Sequence, residues 1–153
     1  MSEIKRISEQ LKSSFYKGAW HGPALLEALD GVTAKQAYLH PISEAHSIWE
    51  LVLHATTWVK AVEKAISEMS YTQVENDANW PNVNQKTEAA WEKAVDSLKK
   101  AHKKLEKLVS TSKDAALEKV PANTSSTVYR LLHGVIHHNI YHAGQIAILK
   151  KGK

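Results

Sequence analysis

One stretch of this chain gathers four of its nine histidines among aliphatic residues: Leu131-Leu132-His133-Gly134-Val135-Ile136-His137-His138-Asn139-Ile140-Tyr141-His142-Ala143-Gly144-Gln145-Ile146. His133/His137 and His138/His142 each have the i, i+4 spacing that lets two neutral imidazoles on one helix face share a metal ion. At about 100° per residue, Leu131, Val135, His138, His142, Ile146 and Leu149 fall within about 40° either side of a common direction. His138 and His142 therefore belong to an apolar stripe. His133 and His137 fall opposite, beside Arg130, Gly144 and Lys151, and are expected to face solvent. A core-facing imidazole has two readings: a neutral ring hydrogen-bonded to a neighbouring helix, or a metal ligand. Two such rings one turn apart favour the second more than one does, because each ring has two nitrogens to satisfy.

A third histidine has the same character. In His46-Ser47-Ile48-Trp49-Glu50-Leu51-Val52-Leu53-His54-Ala55-Thr56-Thr57-Trp58-Val59-Lys60-Ala61-Val62, Leu51, Trp58, Ala61 and Ala65 lie within about 60° of His54 on the helical wheel. Glu50, one turn earlier, is a candidate to orient His54 or a bound water, or to act as a base; a helix-edge carboxylate is the alternative. Three neutral imidazoles from two helices would hold a divalent ion on one side and leave its other positions open. Such an ion lowers the pKa of a bound water or thiol, or polarises a carbonyl. Zinc and nickel suit imidazole best, with iron and manganese as further candidates.

These side chains need helices to position them, and the chain supplies them. With 153 residues, 43% of them hydrophobic and 24% charged, it fits one domain, residues 1–153, with material for a sizeable core. Gly18, Gly22-Pro23, Gly31, Pro41, Trp80-Pro81 and Pro121 punctuate stretches of helical period. The pattern predicts long helices over about 2–17, 43–68, 85–110 and 125–150, with Ser43 and Ser125 or Ser126 as N-caps, and a short helix over 24–30. A polar loop is expected through Asn76–Asn84, and no β-alternation of useful length occurs. The expected fold is all-α, a four-helix bundle with one short extra helix between the first two long ones and a site between facing helices.

Composition narrows the partners. No leader and no run of about 18 apolar residues is evident, so a cytoplasmic protein with no membrane partner is expected. The absence of cysteine leaves imidazole and carboxylate as metal ligands. The formal charge of +4 rests largely on lysines around Lys93–Lys107, diluted by Glu92, Asp96 and Glu106 and without interleaved aromatics. That is a solvated helix face, and no nucleic-acid partner is expected. A second apolar band, Leu132, Ile136, Ile140, Ala143 and Ala147, must be covered by the other helices or by a partner subunit. His40, His46 and His102 carry no spacing signal, and Trp80 and Trp91 are expected as core or loop anchors.

Taken together, Trp20-His21-Gly22-Pro23, the His46–His54 segment and the His-x-x-x-His-x-Gly-Gln-Ile pattern ending at Ile146 resemble the DinB/YfiT-like superfamily of metal-binding four-helix bundles. The resemblance covers nearly the whole chain. It implies a metal triad at His54, His138 and His142, the residues selected by the helical wheels, an up-down-down-up arrangement and a homodimer. It also implies a small-molecule substrate and a thiol S-transferase-like activity with a low-molecular-weight thiol as cosubstrate. A metal-dependent hydrolase and a non-catalytic metal- or ligand-binding stress protein are the alternatives. Trp20 and His21 match a turn at the family's site mouth, although Gly22-Pro23 forms a turn on its own account. Gln145, Tyr141 and Trp49 are further candidates for lining the site, each with ordinary helix packing as its alternative.

Overall fold

The computed structural model describes residues 1–152. Its long helices are α1 (Glu3–Phe15), α4 (Ile48–Ser67), α6 (Glu88–Ser110) and α7 (Val128–Leu149), with short helices α2 (Leu25–Leu29), α3 (Ala34–Tyr38) and α5 (Asn76–Asn79) between them. The expected helical bundle is present, and no strand occurs among the described residues. A single parallel bridge, Ser70 to Ala122, ties the α6–α7 connection to the end of α4, through Tyr71 N–H to Ala122 O at 2.8 Å and Ala122 N–H to Met69 O at 2.9 Å.

Helix ends follow local hydrogen bonding more closely than apolar period, and this corrects several boundaries. The second long helix starts at Ile48 rather than near Ser43. Ser47 Oγ accepts the Glu50 N–H at 3.2 Å while Glu50 Oε2 accepts the Ser47 N–H at 2.7 Å, a reciprocal capping box. The last helix is capped by Thr127, whose Oγ1 accepts the Arg130 N–H at 3.2 Å, and neither Ser125 nor Ser126 plays that part. Two short helices, not one, separate α1 from α4, because Thr33 and Gln36 form a second capping box. The loop expected at 76–84 begins with α5. Replacing Ser47 with alanine is expected to cost about 1 kcal/mol, read as a lower denaturant midpoint with an unchanged slope.

Side-chain contacts give the helix directions. Trp49 meets Trp91 near the beginnings of α4 and α6, their rings 5.3 Å apart, and Lys104 Nζ reaches Glu63 Oε2 at 2.9 Å further along, so these two helices run the same way. On α7, His138 and His142 meet His54 in the first half of α4, and Val62 further along α4 shares a cavity with Leu131, so α7 runs against α4. The core has two apolar clusters, one around Phe15, Trp49, Trp91 and Ile146, the other around Ile7, Val59, Leu105 and Leu132. A buried polar chain crosses the bundle as well: His102 Nε2 donates to Asn139 Oδ1 at 3.2 Å and Asn139 Nδ2 donates to Ser14 Oγ at 3.2 Å. Leu132, Ile136 and Ala143, from the second band of α7, are buried within the chain itself. Burial on two sides fixes the rotation of α7, and with it the direction of its histidines.

Candidate metal centre

His54 on α4 and His138 and His142 on α7 converge. His138 Nε2 lies 3.0 Å from His54 Nε2 and 2.9 Å from His142 Nε2, and ligating nitrogens from all three rings lie within 4.8 Å of one another. His54 and His142 are buried and His138 is half-buried. The outward nitrogens have acceptors. His54 Nδ1 meets the Asn79 carbonyl oxygen at 2.8 Å, and His142 Nδ1 meets Gln145 Oε1. Because a carbonyl oxygen only accepts, both Nδ1 atoms carry the proton and both Nε2 atoms present lone pairs inward.

That arrangement tests whether a cation fits. Three Nε2 atoms share one small space, two of them with inward lone pairs, and the third can offer at most one proton. One divalent ion would satisfy all three at once. The environment also keeps the rings neutral, as ligation requires. Burial, reinforced by the neighbouring imidazoles, pushes His138 down to about 3. Burial takes His142 down to about 4 against the opposing hydrogen bond to Gln145. His54 is lowered too, mainly by burial.

The three rings lie against a cavity of about 670 Å³ whose walls include Trp58, Val62, Leu131, Val135 and Tyr141. Trp80 stacks on His54, ring centroids 3.9 Å apart, and on its other side stacks on His46 at 3.5 Å. Trp58 Nε1 donates to Asn79 Oδ1 at 2.8 Å, which holds the loop whose carbonyl orients His54. Removing the Gln145 amide should therefore weaken metal affinity about 10- to 100-fold without unfolding the bundle. Zinc titration of Gln145→Leu against wild type, with circular dichroism as the control for folding, checks this.

The other candidates separate. Tyr141 and Gln145 line the cavity. Trp49 is buried in the core against Trp91, while Trp20 and His21 are exposed and are not among the residues that line the cavity. Glu50 does not line the cavity either. Besides capping α4, its Oε2 accepts from His40 Nε2 at 3.1 Å and lies 3.5 Å from His46 Nδ1. Burial raises its carboxyl, but the hydrogen bonds from Ser47 and His40 outweigh this and hold it below the usual range. His137 is exposed and His133 half-buried, with no contact to the triad beyond their own helix. Trp58, which the wheel placed in the stripe of His54, lines the cavity, and so do Asn79, Trp80 and His46, which helical spacing did not single out. Asn79 and Trp80 arrive from the α4–α6 connection, which has no period to read.

Residues 19–146 match the family description of the DinB superfamily. The chain belongs to the DinB superfamily. The match spans all three histidines and the turn at Trp20–Pro23. No curated protein and no solved structure matches the chain significantly. Within this DinB-superfamily chain, His54, His138 and His142 form a group able to hold a metal ion.

Proposed function

We propose that this chain is a metal-dependent thiol S-transferase, joining a small thiol to an electrophilic small molecule. The observation that carries the reading is the composition of the cavity wall: three convergent imidazole nitrogens and, among the described residues, no carboxylate. His54, His138 and His142 would hold a divalent ion, zinc or nickel by the preference of their nitrogen donors, and such an ion would supply a lowered pKa to a thiol or water brought to it, and so a nucleophile at neutral pH. A thiol ionised in this way needs no further base. Hydrolysis is better served by a positioned carboxylate, and the candidate, Glu50, is engaged by Ser47 and His40 and does not itself line the cavity. That contrast favours thiol transfer over hydrolysis.

The chain's own residues have defined parts in this reading. The Asn79 carbonyl and Gln145 fix the tautomers of His54 and His142, Trp80 holds the plane of His54, and Trp58, Val62 and Leu131 exclude water from one side of the reacting thiol. Protein purified without an affinity tag and loaded in turn with zinc, nickel, iron or manganese is expected to conjugate thiols to a chloronitroarene or an epoxide. The same preparations should be inactive on ester and amide panels. Turnover of esters or amides without thiol conjugation would reverse the assignment, and a metal-loaded protein inert in both would mark a binding protein.

A further inference from the structure

The cavity wall on α7 bears on the shape and the charge of the molecule it accommodates. Arg130, Gly134, His138 and His142 follow one another at intervals of four residues, and all four line the cavity. Arg130 is exposed and is the one permanently charged side chain among those lining residues, and no carboxylate pairs with it among the described residues. Gly134 lies between the arginine and the histidines. Glycine is the poorest helix former apart from proline, and a Cβ at Gly134 would meet nothing within 4 Å. Packing inside the protein therefore does not ask for glycine here. Its absent side chain leaves an open trough from Arg130 to His138.

Resting on the metal-site reading, we propose that this trough binds an elongated small molecule with an acidic end group. Its anionic end pairs with Arg130, its body crosses Gly134 between apolar walls, and its reactive end lies at the three histidines. Eight residues of helix separate Arg130 from His138, about 12 Å along the axis, and this sets the length the ligand must span. Val62 and Leu131 suit a methylene or similarly apolar middle section. A guanidinium serves carboxylate and phosphonate ends alike, since both offer two oxygens to its planar fork.

The probes are ω-mercaptoalkanoic acids of increasing length, with the matching mercaptoalcohols and mercaptoalkylphosphonates, titrated calorimetrically into zinc-loaded protein. At the best length the acid should bind about five-fold tighter than the alcohol, as an exposed charge pair allows. Arg130→Gln should remove that preference, so that acid and alcohol bind this variant equally. Gly134→Leu should weaken acid and alcohol together while raising the melting temperature, because leucine is a good helix former and a Cβ at this position meets nothing within 4 Å. Failure to fold is thus separated from failure to bind. Equal affinity for acid and alcohol in wild type, or Gly134→Leu binding as wild type does, overturns the trough. Zinc-loaded protein that binds no thiol of any kind overturns the metal-thiol reading instead.

Discussion

Replacing His138 with alanine is expected to abolish stoichiometric metal binding and, with it, all stabilisation by metal. His138 is the hinge of the group, since its Nε2 lies within 3.0 Å of both His54 Nε2 and His142 Nε2, whereas no direct contact of that length joins the other two. Without it, two donors remain on opposite helices, and a weakly chelated ion competes poorly with water. A metal that binds only the folded protein stabilises it by about 4 kcal/mol at a thousand-fold excess over Kd. For a domain of this size that is a rise in Tm of about 8–16 °C. Wild type should show that rise on zinc addition and His138→Ala should show none, with elemental analysis falling from one equivalent to none. The metal-free variant should melt close to metal-free wild type, because the lost ring is half-buried and its removal relieves the crowding of three nitrogens. His142→Ala should behave alike towards zinc but lose more stability without metal, since His142 is 3% exposed and its loss leaves Gln145 without a partner. One equivalent of zinc retained in His138→Ala would remove His138 from the site.

The triad was legible because helical period is a strong signal and the decisive residues sit on long helices. His138 and His142 were separated from His133 and His137 by the apolar stripe alone, and His54 by the same reasoning on another helix. The orienting partners were not legible in that way. Asn79 acts through its backbone carbonyl, a group every residue has, and Trp80 acts from a connection whose path depends on the tertiary fold. Glu50 shows the limit most clearly: one turn before His54, it is well placed on a wheel to assist it. The wheel ignores the competing pull of the helix terminus, where the Ser47 N–H offers the carboxylate a stronger bond. The serine-x-x-glutamate spacing at 47–50 was a readable signal for that competition, as was Thr33 to Gln36 for α3. The buried chain from His102 through Asn139 to Ser14 lay beyond pattern reading, because a lone polar residue on an apolar face gives no sign of where its partner lies.

That chain and the triad together lead to a second large effect: metal-free protein should lose stability in mild acid. His102 is fully buried, stacked on Phe15 with ring centroids 3.5 Å apart, and burial pushes it down to about 3 against the hydrogen bond to Asn139. His138 and His142 are lowered to about 3 and about 4. In the unfolded chain these rings titrate near 6.5. Between those limits the unfolded state holds more protons than the folded state, so stability falls as pH falls. The contribution is fully present above about 6.5, and its loss is complete only below the folded values. Each such histidine steepens the loss by about 1.4 kcal/mol per pH unit. Carboxylates titrate near 4, so the decline from about pH 6.5 to about pH 5 belongs to the histidines. Acting together over that interval, these rings should remove a substantial part of the stability of an ordinary domain. Urea midpoints measured at intervals from pH 7.5 to 5 should therefore drop steeply, and His102→Gln should flatten the curve by about one group's slope whatever its stability at pH 7. Saturating zinc should hold the triad's share until protons displace the ion, leaving His102 to set the residual slope. A flat wild-type profile across that interval would mean that these rings are not held neutral by burial, and the lone pairs facing one another at the centre would lose their physical basis.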